Sequence, residues 1–182
     1  RPWVASALGR MGPEAKAAIP ALIKVVGDKN PEARREALFA LAAIGPDAKD
    51  AVPVAIKALD DEHEKIPYGA CFVLGKIGPD AIDAQARLLK NLDGDDELLA
   101  TISAWALGRI DPTCAETAPK SVPLLIKATD HHDLKIRLEA ITTLGCIGPL
   151  AKDALPALKK LAESKDPLIS EDAAKAIKAI EK

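Results

Sequence analysis

The chain has 182 residues, 48% of them hydrophobic and 29% charged, a balance that suits a folded water-facing protein and excludes a disordered one. Its formal net charge is −2, without the basic surplus of a nucleic-acid binder. Three cysteines without paired spacing exclude a disulfide framework, and no apolar run reaches membrane-spanning length.

Self-similarity organises the whole sequence. The proline of a Gly-Pro step stands at Pro13, Pro46 and Pro79, and then at Pro112 after Asp111, each 33 residues from the last. Pro149 follows after 37, and the four extra residues fall between Pro112 and Pro123. With that insertion allowed, Leu8, Leu41, Leu74, Leu107, Leu144 and Ile177 form one column. Gly9, Ala42, Gly75, Gly108, Gly145 and Lys178 form the next.

In chain order, the first element is a partial helix near residues 2–11 within a partial repeat, 1–12. Full units of two helices are predicted at 13–45, 46–78, 79–111 and 112–148, the last with the insertion. A capping unit closes the chain at 149–182. Arg1 aligns with Arg34, so an upstream neighbour and a longer chain are expected, with Leu8 and Met11 in the least stable helix.

Within a unit, Pro20 recurs as Pro53, Pro123 and Pro156. Proline fits a first helical turn, so a short turn and then a main helix are predicted around it. Ala86 takes its place in the third unit, and an unbroken helix is expected there. The second helix begins with an N-cap and a proline, as in Asn30-Pro31 and Asp166-Pro167, and closes at a glycine such as Gly45. Asp111 replaces that glycine beside the insertion, which marks this joint as irregular. The last helix carries Glu171, Lys175, Lys178 and Lys182 where a capping surface needs polar groups.

The phrases Ala-Leu-Gly-Arg-Met-Gly-Pro (7–13), Val-Leu-Gly-Lys-Ile-Gly-Pro (73–79) and Thr-Leu-Gly-Cys-Ile-Gly-Pro (143–149) resemble HEAT repeats of the phycobilin-lyase-like type. So does Ala-Val-Pro-Val-Ala-Ile-Lys-Ala-Leu-Asp-Asp (51–61). The resemblance implies an all-α, right-handed α-solenoid of helix-pair repeats of the armadillo-like kind, with second helices lining the concave face. Most members bind proteins. A minority are enzymes: bilin lyases, a di-iron hydroxylase and DNA glycosylases.

Function is expected on that face. The column Ser6, Phe39, Phe72, Trp105, Thr142 and Lys175 lies opposite the core side of the second helix, and Tyr68 is one turn before Phe72. Four of the five aromatics therefore face outward, with Trp3 beside them, and the apolar core needs none of them. They read as a ladder of anchors for a protein segment or helix. The alternative is packing between neighbouring second helices. Arg10, Lys76 and Arg109 stand near second-helix C-termini, either answering the helix dipole or forming a basic rim for acidic ligand residues. The expected partner-binding set is Arg35, Phe39, Tyr68, Phe72, Lys76, Trp105 and Arg109.

Other features have plainer readings. Lys24, Lys57, Lys90, Lys127 and Lys160 form a solvated lysine column. Arg34 and Arg137, with Asp28 and Asp130 nearby, read as inter-repeat pairing. Cys71 reads as a small buried hydrophobe, and Cys114 lies in the insertion. The hydroxylase would need His-Glu pairs where this chain has Arg35-Glu36 and Leu138-Glu139, and His63-Glu64 is out of register. His131-His132-Asp133 reads as a turn with Asp133 as N-cap, because adjacent histidines do not share a helix face. No cofactor, metal or catalytic residue is expected. The predicted function is a non-catalytic protein-interaction scaffold holding a peptide segment or helix in the concave groove, without membrane contact and cytoplasmic in placement. The alternatives are an enzyme subunit of bilin-lyase-like type and, disfavoured by the acidic residues flanking the groove, nucleic-acid binding.

Overall fold

Pro-Gly punctuation and amphipathic stretches produce an alternation of short and long helices. A computed structural model describes residues 12–182. The partial helix near 2–11, with Trp3, Ser6, Leu8, Arg10 and Met11, lies outside the described residues. The short helices are α1 (Ile19–Val26), α3 (Val52–Ala58), α5 (Gln85–Asn91), α7 (Ala118–Ala128) and α9 (Leu155–Ala162). The long helices are α2 (Pro31–Ile44), α4 (Lys65–Ile77), α6 (Glu97–Ile110), α8 (Leu134–Ile147) and α10 (Pro167–Ile180). No strand occurs among the described residues.

Long helices pack side by side in sequence order, α2 on α4, α4 on α6, α6 on α8 and α8 on α10. Each short helix packs against the long helix that follows it. The result is a two-layer solenoid in which contacts run mainly between adjacent units. Its core is built from small and branched aliphatics such as Leu38, Leu41, Ile66, Leu74, Leu107 and Leu144, all nearly inaccessible to water.

The predicted caps are in place. Asn30 accepts from the Glu32 and Ala33 backbone N–H groups, and Asp166 accepts from that of Leu168. Three long helices end at Gly45, Gly78 and Gly148 with φ of 76°, 78° and 63°, a region where a side chain would be strained. After each, a 3-10 segment of seven residues leads to the next short helix.

Two expectations need correction. The third unit is not an unbroken helix where Ala86 replaces proline. Its kink lies upstream at Ala81 (φ −94°, ψ 21°), matching Ala48 and Ala151 in the proline-bearing units. The Gly-Pro turn, not the later proline at the Pro53 and Pro156 position, sets the break. In the fourth unit the relation is reversed. Asp111 leaves α6 with φ −141° and ψ 87°, no 3-10 segment follows, and α7 runs 11 residues with Pro123 inside it. The inserted stretch is tied down locally: Asp111 accepts from the Thr113 N–H and hydroxyl, and the Gln85 amide donates to the Cys114 sulfur at 3.0 Å.

Arg34 pairs across units as expected, donating to Asp61 Oδ1 at 2.7 Å and to the Asp28 carbonyl at 2.9 Å. Arg137 instead donates to the Thr129 carbonyl. No described helix is long and apolar enough to cross a membrane.

Candidate protein-docking cleft

The α6–α8 joint is looser than α2–α4 or α4–α6. A cleft of about 830 Å³ opens there, reaching back over α4 to Phe39. Leu98, Ile102 and Trp105 of α6, Ile136 of α8 and Phe72 of α4 form its apolar surface. Tyr68, Glu139 and the His131–His132 turn stand around it.

The aromatic ladder is real, but its rungs differ. The Phe39 and Phe72 centroids are 6.1 Å apart with planes tilted by 59°. Phe72 and Trp105 stack at 5.4 Å and 23°. Phe39 is 44% exposed, Phe72 is half-buried, and Trp105 is only 7% exposed. The expectation that the core needs no aromatic therefore fails at Trp105. Its ring lies against Gly75 of α4, where an added Cβ would fall far inside contact distance of Trp105 Cζ3. That glycine admits the indole between two long helices.

Lys76 crosses above this ring. Its ammonium is 5.3 Å from the Trp105 centroid and 5.4 Å from that of Phe72. It also donates to Glu139 Oε1 at 2.8 Å, while Trp105 Nε1 donates to Oε2 of the same carboxylate at 3.0 Å. One carboxylate on α8 thus ties α4 and α6 together. Burial pushes the Glu139 carboxyl up, but the Lys76 ammonium and the indole N–H outweigh it and hold the group below the ordinary glutamate range. Lys76 is not a free cation on a basic rim.

Tyr68 is also engaged. Its hydroxyl donates to Asp96 Oδ2 at 2.6 Å, and Asp96 Oδ1 caps α6 through the Leu99 N–H at 2.9 Å. The hydrogen bond to Asp96 pushes the phenol up to about 12 and pulls the carboxyl down. Arg35 pairs with its neighbour Glu36, and Arg109 directs Nη1 toward Cys146 Sγ at 3.9 Å. Neither arginine lines the cleft.

The remaining polar candidates resolve into structure. Asp133 caps α8, accepting from the Lys135 and Ile136 N–H groups, and His131 Nδ1 accepts from the Asp133 N–H at 3.0 Å. No group of three or more potential metal ligands occurs among the described residues. Cys71 is fully buried, as expected, but lies in a polar cluster rather than a purely apolar one. Its sulfur is 3.2 Å from Ser103 Oγ, which accepts from the Asn91 amide at 2.9 Å. Burial pushes the thiol up to about 11. The lysine column is exposed along its whole length.

Leu98, Ile102, Ile136 and Glu139 were not in the predicted site. A signal for two of them is present in the repeat. Leu98 shares its column with Glu32, Lys65, Lys135 and Leu168, and Ile102 shares its own with Trp3, Glu36, Gly69, Glu139 and Asp172. Among the five long helices α6 alone is apolar in both columns, which marks it as locally different. Leu98 is 49% exposed, so this departure is not explained by burial.

The HEAT-repeat profile matches the sequence over residues 1–61, 19–108 and 86–178. No curated protein matches it. Among solved structures, an engineered protein superposes with a TM-score of 0.71 at 24% identity, covering 99% of this chain and 90% of its own. A designed armadillo repeat protein gives 0.69 at 21% identity, with coverage of 98% and 92%. Kap121p bound to Nup53p gives 0.61 at 20% identity, with 97% of this chain on 21% of that one. These likenesses support the solenoid architecture, and the sequence match over nearly all residues supplies the family: the chain belongs to the HEAT-repeat proteins.

Proposed function

We propose that this chain is a non-catalytic docking scaffold that holds an apolar-studded segment of another protein in the cleft between α6 and α8. The observation that carries the reading is the pair Leu98 and Ile102, both apolar at two positions where each other long helix carries a charge in at least one, beside the exposed edge of the Phe39–Phe72 ladder. Exposed apolar surface of this kind marks interaction sites, and buried aromatics dominate their energetics. A segment with apolar side chains three or four residues apart, or an extended one with alternate side chains inward, matches a cleft lined from successive helices.

The similar structures include designed armadillo proteins described as made for modular peptide recognition, and Kap121p bound to Nup53p. They support a peptide or protein partner for this architecture. The polar groups at the cleft are engaged in caps and cross-helix pairs, which supports holding over catalysis.

The test is selection from a random peptide library displayed on phage, followed by affinity measurement. Selected peptides are expected to bind Ile102→Asp and Phe72→Ala at least tenfold more weakly, with circular dichroism unchanged. Peptides that bind both variants as tightly as wild type would overturn the reading.

A further inference from the structure

Phe72, Trp105 and Glu139 surround one ammonium group, and that group belongs to the chain itself. The Lys76 Nζ lies within 5.4 Å of both ring centroids and 2.8 Å from a carboxylate oxygen. Two π-faces and one anion are the elements of a cation cage. The lysine and the glutamate side chains each retain 30% exposure, so the cage is open to solvent on one side. Its aromatic wall is continuous with the apolar cleft that begins at Ile102 and Leu98.

We propose that this cage is a binding site for a primary alkylammonium, occupied in the free protein by Lys76 and taken over by a lysine of the docked segment. The identity of the macromolecule rests on the docking reading above; the cage itself does not.

The physical argument is one of exchange. Lys76 is tethered, so its effective concentration at the cage is high and a free ammonium competes poorly. A lysine on a segment already held by the apolar cleft is tethered too, and the exchange then conserves the cation–π contacts and the ion pair. Displaced Lys76 swings into water and regains side-chain freedom. Glu139 is never left as a half-buried charge without a counter-ion, a state that is costly. The chain's own lysine thus acts as a plug that rejects segments lacking a cation beside their apolar anchor. This reverses the role expected from sequence, in which Lys76 meets acidic ligand residues.

The two roles predict opposite signs. In a Trp3→Phe background, where Trp105 alone reports, n-butylammonium chloride is titrated at constant ionic strength set with sodium chloride. Lys76→Met is expected to show a saturable fluorescence change with an apparent affinity at least tenfold above wild type. Adding Glu139→Gln should weaken it at least tenfold, and n-butanol should not reproduce it. A Lys76→Met response equal to wild type, or an equal response to n-butanol, would overturn the cage. Lys76→Gln repeats the test; loss of helical circular dichroism in both variants would make the lysine a structural member and also overturn it. With lysine-containing peptides from the library, Lys76→Met should raise affinity at least threefold, and lower affinity would contradict the proposal. Peptide binding without butylammonium binding removes the cage alone. Butylammonium binding with no peptide dependent on Ile102 removes the docking reading and leaves the cage.

Discussion

The α2–α4–α6 stack and the α6–α8 joint are built from the same repeat, yet they do different things. In the stack, a left-handed glycine ends each long helix, a 3-10 segment turns the chain, and the next long helix packs closely. At the joint, Asp111 replaces the glycine, the 3-10 segment is gone, four residues are inserted, and α8 packs more loosely on α6. Regular units also expose single apolar side chains such as Ile82 and Leu150, but the cleft that gathers Leu98, Ile102 and Ile136 opens at the irregular joint. The repeat is the scaffold, and the departure from it is where we propose that a partner is held.

Gly75→Ala should damage the regular stack most, since the new Cβ meets the Trp105 ring directly. Overpacking is expected to cost about 1–3 kcal/mol, net of the ~1 kcal/mol helix preference for Ala. Gly94→Ala, with only the Asn91 carbonyl at 3.4 Å, should stay within about 0.5 kcal/mol of wild type. Urea unfolding of the two variants checks this, and equal stabilities would dissolve the claim that Gly75 seats the indole.

A smaller effect is expected from the tie that spans the joint. Glu139→Gln should cost about 1 kcal/mol, as for a partly exposed pair with one further hydrogen bond. The carboxyl is held below the ordinary glutamate range, so its contribution is present above that range and lost as pH falls through the lowered value. Thermal melts of wild type and variant should therefore differ at neutral pH and converge in acid. A gap that persists at pH about 2 would separate the stabilisation from ionisation of Glu139.

Much of this was legible beforehand. The columns through Leu41 and Gly75 gave the helix pairs, the caps at Asn30, Asp133 and Asp166, and the irregular joint at Asp111. The outward aromatic column, Phe39, Phe72 and Trp105, lies along one wall of the cleft. What stayed hidden is three-dimensional. A helical wheel places Trp105 on the outside of α6, but only the packed neighbour shows that Gly75 leaves room for the ring. Likewise Lys76 and Glu139 are 63 positions apart on helices that are not adjacent, and their pairing follows from reach across the indole. The break assigned to Pro53 and Pro156 belongs to the Gly-Pro turn, as the kink at Ala81 demonstrates in the unit that has Ala86 in their place.

The smallest effect should come from the lysine column. Lys57→Gln removes an exposed charge remote from the cleft, and is expected to change stability by less than about 0.5 kcal/mol and peptide affinity by less than twofold. A larger loss of affinity would move the docking surface to the short-helix side.

The central claim is that the loose joint, not exposed apolar surface in general, holds the partner. Leu98 and Leu168 occupy the same repeat column and are similarly exposed, at 49% and 54%, but only Leu98 lines the cleft. The most direct measurement is the affinity of library-selected peptides for Leu98→Lys and Leu168→Lys. The account predicts at least a tenfold loss for Leu98→Lys and less than a twofold change for Leu168→Lys. Equal losses in the two variants, or no loss in either, would contradict it.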